Sequence, residues 1–402
     1  MRDSEAGAAP SPWAGLWLLD PSVAFLNHGS FGACPRAILD HQSALRARLE
    51  REPVDFLVRD LPGLLAGARA SLAAFVRADP EDLAFVPNAT AGVNAVVRSF
   101  AFEPGDEILT TDHAYAACKK TLDYVSARTG ARVTVARVPF PLAIEDDVIS
   151  PVLFAVTPHT RLAMLDHVTS PTSLIFPIER LVGELAARGV DTLVDGAHAL
   201  GMVPLDLSRL GAAYYTANAH KWLCAPKGAA FLHVRKDRQQ GLHPAVISHG
   251  YAPGAAESRF REEFDWTGTF DPTACLCVPE CLRFLGGLLP GGWPALMERN
   301  RALALRARAL LCEALGSGSP CPESMVGAMA SVPVPALAPG CVAGPLGHEE
   351  LTSWIRARGV EAWFHPWPSP GGKVIRVSAQ LYNVEREFVR LADLLGEAIR
   401  AA

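Results

Sequence analysis

From about residue 83 the chain alternates short β-rich runs with helical ones, and this alternation limits its fold more than any other feature. Runs 83–86, 107–110 and 132–138 are separated by helical patterns at 91–100 and 116–128. Runs 161–165, 191–195, 213–216 and 229–234 continue the series, with a helical pattern at 177–188. Parallel strands cannot be joined by a tight turn and need a crossover, usually a helix. The pattern therefore predicts βαβ units and a mostly parallel sheet covered by helices on both faces, an α/β fold. Ligands on such sheets sit beyond the carboxyl ends of the strands. Asn88, Asp166, Asp195 and Lys221 all fall there, so polar residues distant in sequence are expected to meet.

At 402 residues the chain exceeds what one hydrophobic core usually organises, and its 50% apolar residues can fill two. The expected division is an N-terminal arm and helix over 1–50 that packs with the small domain, a large domain over 51–289 and a small α+β domain over 290–402. The first twenty residues read as a loose arm, and Cys34-Pro35 opens a helix to about residue 52. Past residue 290, helices at 293–315, 348–358 and 385–401 surround strands at 325–334 and 374–378, and 316–347 reads as loop mixed with edge strand. A net charge of -5 with scattered basic residues argues against a nucleic-acid partner. No run of about 18 apolar residues and no signal-peptide order at the N-terminus point to a cytoplasmic protein without a membrane partner. Nine cysteines in such a chain read as free thiols. The cluster Cys275, Cys277 and Cys281 matches no zinc spacing and reads as one helix face, so no metal is expected.

The chemistry concentrates at Lys221, which closes the run from Tyr215 to Trp222 and is followed by the apolar Leu223, Cys224 and Ala225. The other lysines, Lys119, Lys120, Lys227, Lys236 and Lys373, have no such setting. A desolvated amine with a lowered pKa is what Schiff-base chemistry requires. Paired with Asp195 at a strand end, Lys221 reads as part of a pyridoxal phosphate (PLP) site. A carboxylate beside the cofactor's ring nitrogen keeps that nitrogen protonated, the state in which the ring accepts electrons. His198 is placed to orient that carboxylate or to touch the ring's phenolic oxygen. Asn88-Ala89-Thr90 precedes a helix whose free N–H groups and dipole suit a phosphate. Tyr115 follows the next strand and can stack on the ring, with His113 as the competitor. Asn218 and His220 are candidates to complete the phosphate cup.

With these segments the chain resembles the class V aminotransferase superfamily of fold-type-I PLP enzymes, in its isopenicillin N epimerase-like branch. The resemblance rests on Phe25 to Gly32, Asn88 to Thr90, Asp166 to Ser170, Leu193 to Leu207, Asn218 to Gly228, Asp265 to Thr269 and Ile375 to Asn383, and so spans nearly the whole chain. It implies a large domain with a seven-stranded-type sheet. It also implies cofactor contacts at Asn88, Ala89, Thr90, Tyr115, Asp166, Ser170, Asp195, His198, Asn218, His220 and Lys221, with Lys221 and Asp195 catalytic. Asn27, His28, Ser30 and Arg376 would face the substrate, Arg376 through a bidentate grip on its α-carboxylate. Thr269 resembles a residue that reaches the partner subunit's phosphate, which implies a homodimer with shared sites. Cysteine desulfurases of the superfamily carry a nucleophilic thiol on the loop before this arginine. Here residues 363–368 read as an aromatic, proline-rich loop without one, and Cys341 is thirty-five residues upstream of Arg376.

The implied activity labilises a bond at Cα of an amino-acid substrate, as an epimerase or transaminase. Alternatives are a cysteine S-conjugate β-lyase or a decarboxylating, oxidatively deaminating enzyme. A reading of another class is a non-catalytic protein of the same fold. The chain has no Gly-rich dinucleotide fingerprint, phosphate loop or nucleophile elbow, which removes nucleotide-dependent and serine-hydrolase readings.

Overall fold

The computed structural model describes residues 10–335, 348–367 and 372–400. Seven strands form the central sheet: β1 (Leu83–Val86), β2 (Glu107–Thr111), β3 (Arg132–Ala136), β4 (Thr160–Asp166), β5 (Asp191–Asp195), β6 (Tyr214–Asn218) and β7 (Ala230–Val234). Their order is β1-β7-β6-β5-β4-β2-β3, with β7 antiparallel to both neighbours and every other pair parallel. Strands β6 and β7 are buried at every residue, as a sheet covered on both faces requires. Covering helices present one apolar stripe; in Ile178–Ala186 it is Ile178, Leu181, Val182 and Leu185. Among the helices that escape the sequence pattern are Leu61–Val76 and Asp146–Phe154, the second because Pro151 sits inside it.

A second, antiparallel sheet has the order β9 (Trp363–Pro366), β10 (Lys373–Ser378), β8 (Met329–Val334). Helices Gly292–Leu315 and Glu385–Arg400 pack together beside it. Residues 363–366, expected as loop, are strand. Phe364 is wholly buried beside the exposed Trp363, and pairing with β10 along 363–366 makes the segment an edge strand rather than a turn.

The N-terminal segment is not a loose arm over the part described. Trp17 is buried against Tyr382, and Ser11 donates a hydrogen bond to the Leu381 carbonyl. Ala24–Phe25 pairs in parallel with Val360–Glu361. Aromatic side chains here find a surface some 360 residues away, a contact composition alone does not signal. The helix Arg36–Arg51 lies instead against Thr273–Leu276, where Gln42 Nε2 donates to Thr273 Oγ1 at 3.1 Å. Cys275, Cys277 and Cys281 are buried on two successive helices, Thr273–Leu276 and Val278–Gly286, and their junction, rather than on one helix face. Cys341 lies outside the described residues.

Candidate active site

Lys221 lies in the connection from β6 to β7, at the carboxyl end of a wholly buried strand. Segment 28–32 runs against its backbone. Gly32 has φ +70°, and a Cβ there would stand 2.1 Å from the His220 carbonyl oxygen, so only glycine fits. His28, expected to face the substrate, is wholly buried instead. Its Nε2 donates to the Lys221 carbonyl at 3.0 Å, and its Nδ1 accepts from the Tyr382 hydroxyl at 2.8 Å. With both ring nitrogens engaged, His28 anchors the Lys221 backbone.

The Lys221 Nζ lies 3.0 Å from His198 Nε2. Burial, then the Arg376 guanidinium, lowers its pKa to about 7, against the pull of Asp195, Cys118 and Asp166. The neutral amine is therefore accessible near neutral pH. Asp195 is buried at the end of β5. Its Oδ1 accepts from the Ala197 N–H at 3.0 Å and its Oδ2 from the Cys118 thiol at 3.4 Å. Asp166 is its register partner on β4, and Asp166 Oδ2 is buried with no hydrogen-bond partner, as is His198 Nδ1. Burial, then the charge of Lys221, holds the His198 imidazole neutral.

A helix begins at the end of β1. Asn88 caps Ala89–Ser99, its side chain accepting from Ala91 N–H at 2.9 Å. Gly92 lets this helix approach β6, since a Cβ there would come within 2.3 Å of Thr216 Oγ1. Ala89 N–H donates to Asn218 Oδ1 at 2.8 Å, which ties the helix start to the end of β6. Thr90 is half-buried in the first turn. His220 donates through Nδ1 to the Ala229 carbonyl at 3.0 Å, and burial lowers its pKa to about 4. Its Nε2 can donate to an anion only when a proton is added, which a phosphate favours.

Arg376, on β10, is 2% exposed. Its Nη1 donates to the Ser170 carbonyl at 2.8 Å and to Ser170 Oγ at 3.2 Å. Its Nη2 donates to Ser30 Oγ at 2.7 Å and Asn27 Oδ1 at 3.3 Å. All four acceptors are neutral, Nε has no partner, and burial lowers the guanidinium's pKa to about 10. Trp363 stands opposite Arg376 in the β9–β10 register, hence on the same face of that sheet.

His113 is wholly buried, its ring fixed by Thr172 Oγ1 at 2.6 Å, the Val138 carbonyl at 3.0 Å and Trp367, whose ring centroid is 4.4 Å away. Tyr115, two residues on, is 46% exposed. Thr269 lies on the surface between the helices Phe260–Asp265 and Thr273–Leu276, outside the cluster around Lys221. Sequence reasoning missed Cys118. It lies one turn after Tyr115 in the helix Ala116–Thr129, and that i, i+3 spacing to a candidate cofactor residue was its only signal.

The residues present fit PLP. Asp195 is a desolvated carboxylate beside the Lys221 amine, Asp166 Oδ2 and His198 Nδ1 are buried polar atoms without partners, and a capped helix start supplies an anion site. Among the described residues no three His, Cys, Asp or Glu side chains converge as a metal site, and no helix is long and apolar enough to cross a membrane.

The family described as aminotransferase class-V matches residues 57–262. Isopenicillin N epimerase of Streptomyces clavuligerus is 38% identical over 394 residues, covering 95% of this chain and 96% of the relative. Putative L-cysteine desulfhydrase 1 of Oryza sativa subsp. japonica is 33% identical, covering 94% of this chain and 84% of that protein. Among solved structures, the cystine C–S lyase C-DES in complex with cysteine persulfide superposes with a TM-score of 0.77 at 21% identity, over 94% of this chain and 98% of that one.

Proposed function

The chain belongs to the class-V aminotransferase family, and on that premise we propose that it is a PLP-dependent enzyme that inverts the Cα configuration of an α-amino acid with a bulky side chain. The observation that carries the proposal is Arg376, a buried guanidinium with only neutral acceptors around it, on the same site as the Lys221 amine. A buried charge without a counter-ion is costly, and a substrate α-carboxylate supplies the missing anion in the fork geometry that arginine favours. The epimerase reading takes its support from the 38% identity to isopenicillin N epimerase.

When bound, PLP supplies an electron sink that weakens bonds at Cα. In our reading, Lys221 Nζ would carry the cofactor and take the proton from one face of Cα, since a pKa of about 7 lets it act as a base near neutral pH; inversion then requires a second proton donor on the opposite face. Asp195 holds the ring nitrogen, with the Ala197 N–H and the Cys118 thiol fixing the carboxylate's orientation. Asn88, Ala89, Thr90, Asn218 and His220 form the phosphate end, Asn218 by tying down the helix start and His220 through Nε2 as imidazolium. Tyr115 covers the ring, because His113 is locked into the core. Asn27, Ser30 and Ser170 hold the Arg376 fork, and Trp363 offers an apolar wall for the substrate's side chain.

A second reading, β-elimination at a C–S bond, is favoured by the 33% identity to the plant desulfhydrase. Persulfide chemistry of the desulfurase kind is not part of our proposal. It needs an exposed thiolate, and of the eight described cysteines seven are buried; burial raises the pKa of each of the eight. We also propose a cytoplasmic homodimer in which Thr269 reaches the partner's phosphate. In support, the surface beside Thr269 exposes Val246 and Phe270 around an apolar cavity of about 350 Å³ that borders Pro87 and Ala91. Light scattering that finds an active monomer defeats the shared site.

The test of function is a panel of bulky amino acids incubated in deuterated water. Deuterium at Cα with inverted configuration is expected. Release of pyruvate with a thiol selects the lyase reading, and persulfide from free cysteine overturns both.

A further inference from the structure

Asp166 and Asp195 end neighbouring parallel strands as register partners, their backbones about 4.8 Å apart across the ladder and their side chains on the same face of the sheet, and are 3% and 4% exposed. Two neighbouring carboxylates out of water do not both ionise; one proton stays with the pair. We propose that Asp166 is the neutral, proton-bearing member of this pair, which leaves Asp195 as its single anion. The proton's place rests on this chain's geometry alone; its use rests on the reading above, in which Asp195 faces the ring nitrogen.

The asymmetry follows from hydrogen bonding. Both Asp195 oxygens accept, one from the Ala197 N–H and one from the Cys118 thiol, and such bonds stabilise a carboxylate. Asp166 Oδ2 accepts from nothing. Among the groups that face the pair, Lys119, on the helix Ala116–Thr129, donates to the Asp112 carbonyl at 3.2 Å, and its charge favours an anion at Asp166, though less than burial and Asp195 oppose one. Lys221, after β6, lies against His198 and favours an anion at Asp195. The Tyr115 N–H reaches toward Asp166, and the Cys118 thiol stays protonated through burial. Burial first and Asp195 second raise the pKa of Asp166 well above the carboxyl range. Burial raises that of Asp195 too, against the opposing pull of the Ala197 N–H, the thiol and Lys221.

Asp166 is thus a positioning residue. A second ionised carboxylate beside Asp195 would draw a proton onto it or hold Lys221 as ammonium, and either removes a charge state the site needs. The folded chain keeps a proton that the unfolded chain loses above 3.8, the ordinary value for this carboxyl. Stability is therefore lost as pH rises from there through the folded pKa, and Asp166→Asn, the neutral isostere, should lack this loss.

The test is infrared spectroscopy of the holoenzyme at neutral pH with carboxyl-labelled aspartate, comparing wild type with Asp166→Asn, and with Asp166→Ser should the first variant not fold. The expected result is loss of one protonated carboxyl's intensity from the C=O stretch region, together with a flatter dependence of thermal midpoint on pH. Unchanged intensity, or no protonated aspartate in the wild type, overturns the proposal. Failure of Asp195 to serve the cofactor would appear separately, as a normal cofactor spectrum in Asp195→Asn, and leaves the infrared result standing.

Discussion

The two sheets meet at the candidate site but hold their charges in opposite ways. At the carboxyl edge of the seven-stranded sheet, Asp166, Asp195, His198, Cys118 and Lys221 are titratable groups packed against one another, each shifted from its ordinary pKa by burial and by its neighbours. On the three-stranded sheet, Arg376 stands among four neutral acceptors. Groups that exchange protons near neutral pH are placed where small changes in neighbouring charge move them. A group that must stay charged is a guanidinium, which keeps its proton even when burial lowers its pKa to about 10. In the proposed reading, the large sheet sets the chemistry and the small sheet the molecule it is applied to.

Substitutions can break that division, and the largest effect is expected at Lys221. Lys221→Ala should lower turnover about 10³-fold or more, since it removes both the covalent anchor and the proton carrier. Cofactor should still bind weakly, and activity above a few per cent of wild type contradicts the assignment. Next is Asp195→Asn, with nearly the same shape but no charge. It should retain cofactor and lose about 10²–10³-fold in kcat, and near-normal turnover would reduce Asp195 to a turn residue. Arg376→Lys should cost about 2–5 kcal/mol in kcat/KM for amino acids and leave the cofactor's absorption spectrum unchanged. If that spectrum shifts, the sheets do not divide the work as described.

A smaller effect sharpens the comparison through pH. Folded Lys221 has a pKa of about 7 against an ordinary 10.5, so between those values the unfolded chain binds a proton that the folded chain lacks. Stability of the cofactor-free protein should therefore rise with pH across that window, and Lys221→Met should flatten the rise. Thermal midpoints at intervals from pH 6 to about 10 report the slope. Smallest is Trp363→Ala, expected to lower kcat/KM by about tenfold for bulky side chains and less for small ones. An equal loss for both would place Trp363 away from the substrate.

Much of the large-sheet half was legible in the sequence, because its polar residues sit at the ends of apolar strand runs where chain direction fixes their place. Lys221 stood out as a lone cation in an apolar stretch, and the structure places it, Asp166, Asp195 and Asn88 at the same sheet edge. What escaped were contacts between segments far apart in the chain. His28 looked available to substrate until Tyr382, 354 positions away, and the Lys221 carbonyl took both its nitrogens. Cys118 gave no sign of its bond to Asp195, because the helix Ala116–Thr129 is rotated onto the sheet by tertiary packing rather than by local pattern. Residues 363–366 were read as loop from their proline and aromatic content, whereas pairing with β10 makes them strand.

If Lys221 carries PLP at a site whose second half holds an amino-acid carboxylate, borohydride reduction of the holoenzyme followed by peptide mapping should reveal it. A single reduced cofactor adduct is expected, on Lys221, whose formation is prevented by prior saturation with an α-amino acid but not with the corresponding amine that lacks a carboxylate. An adduct on Lys119, Lys227 or any other lysine, or equal protection by the amine, would contradict it.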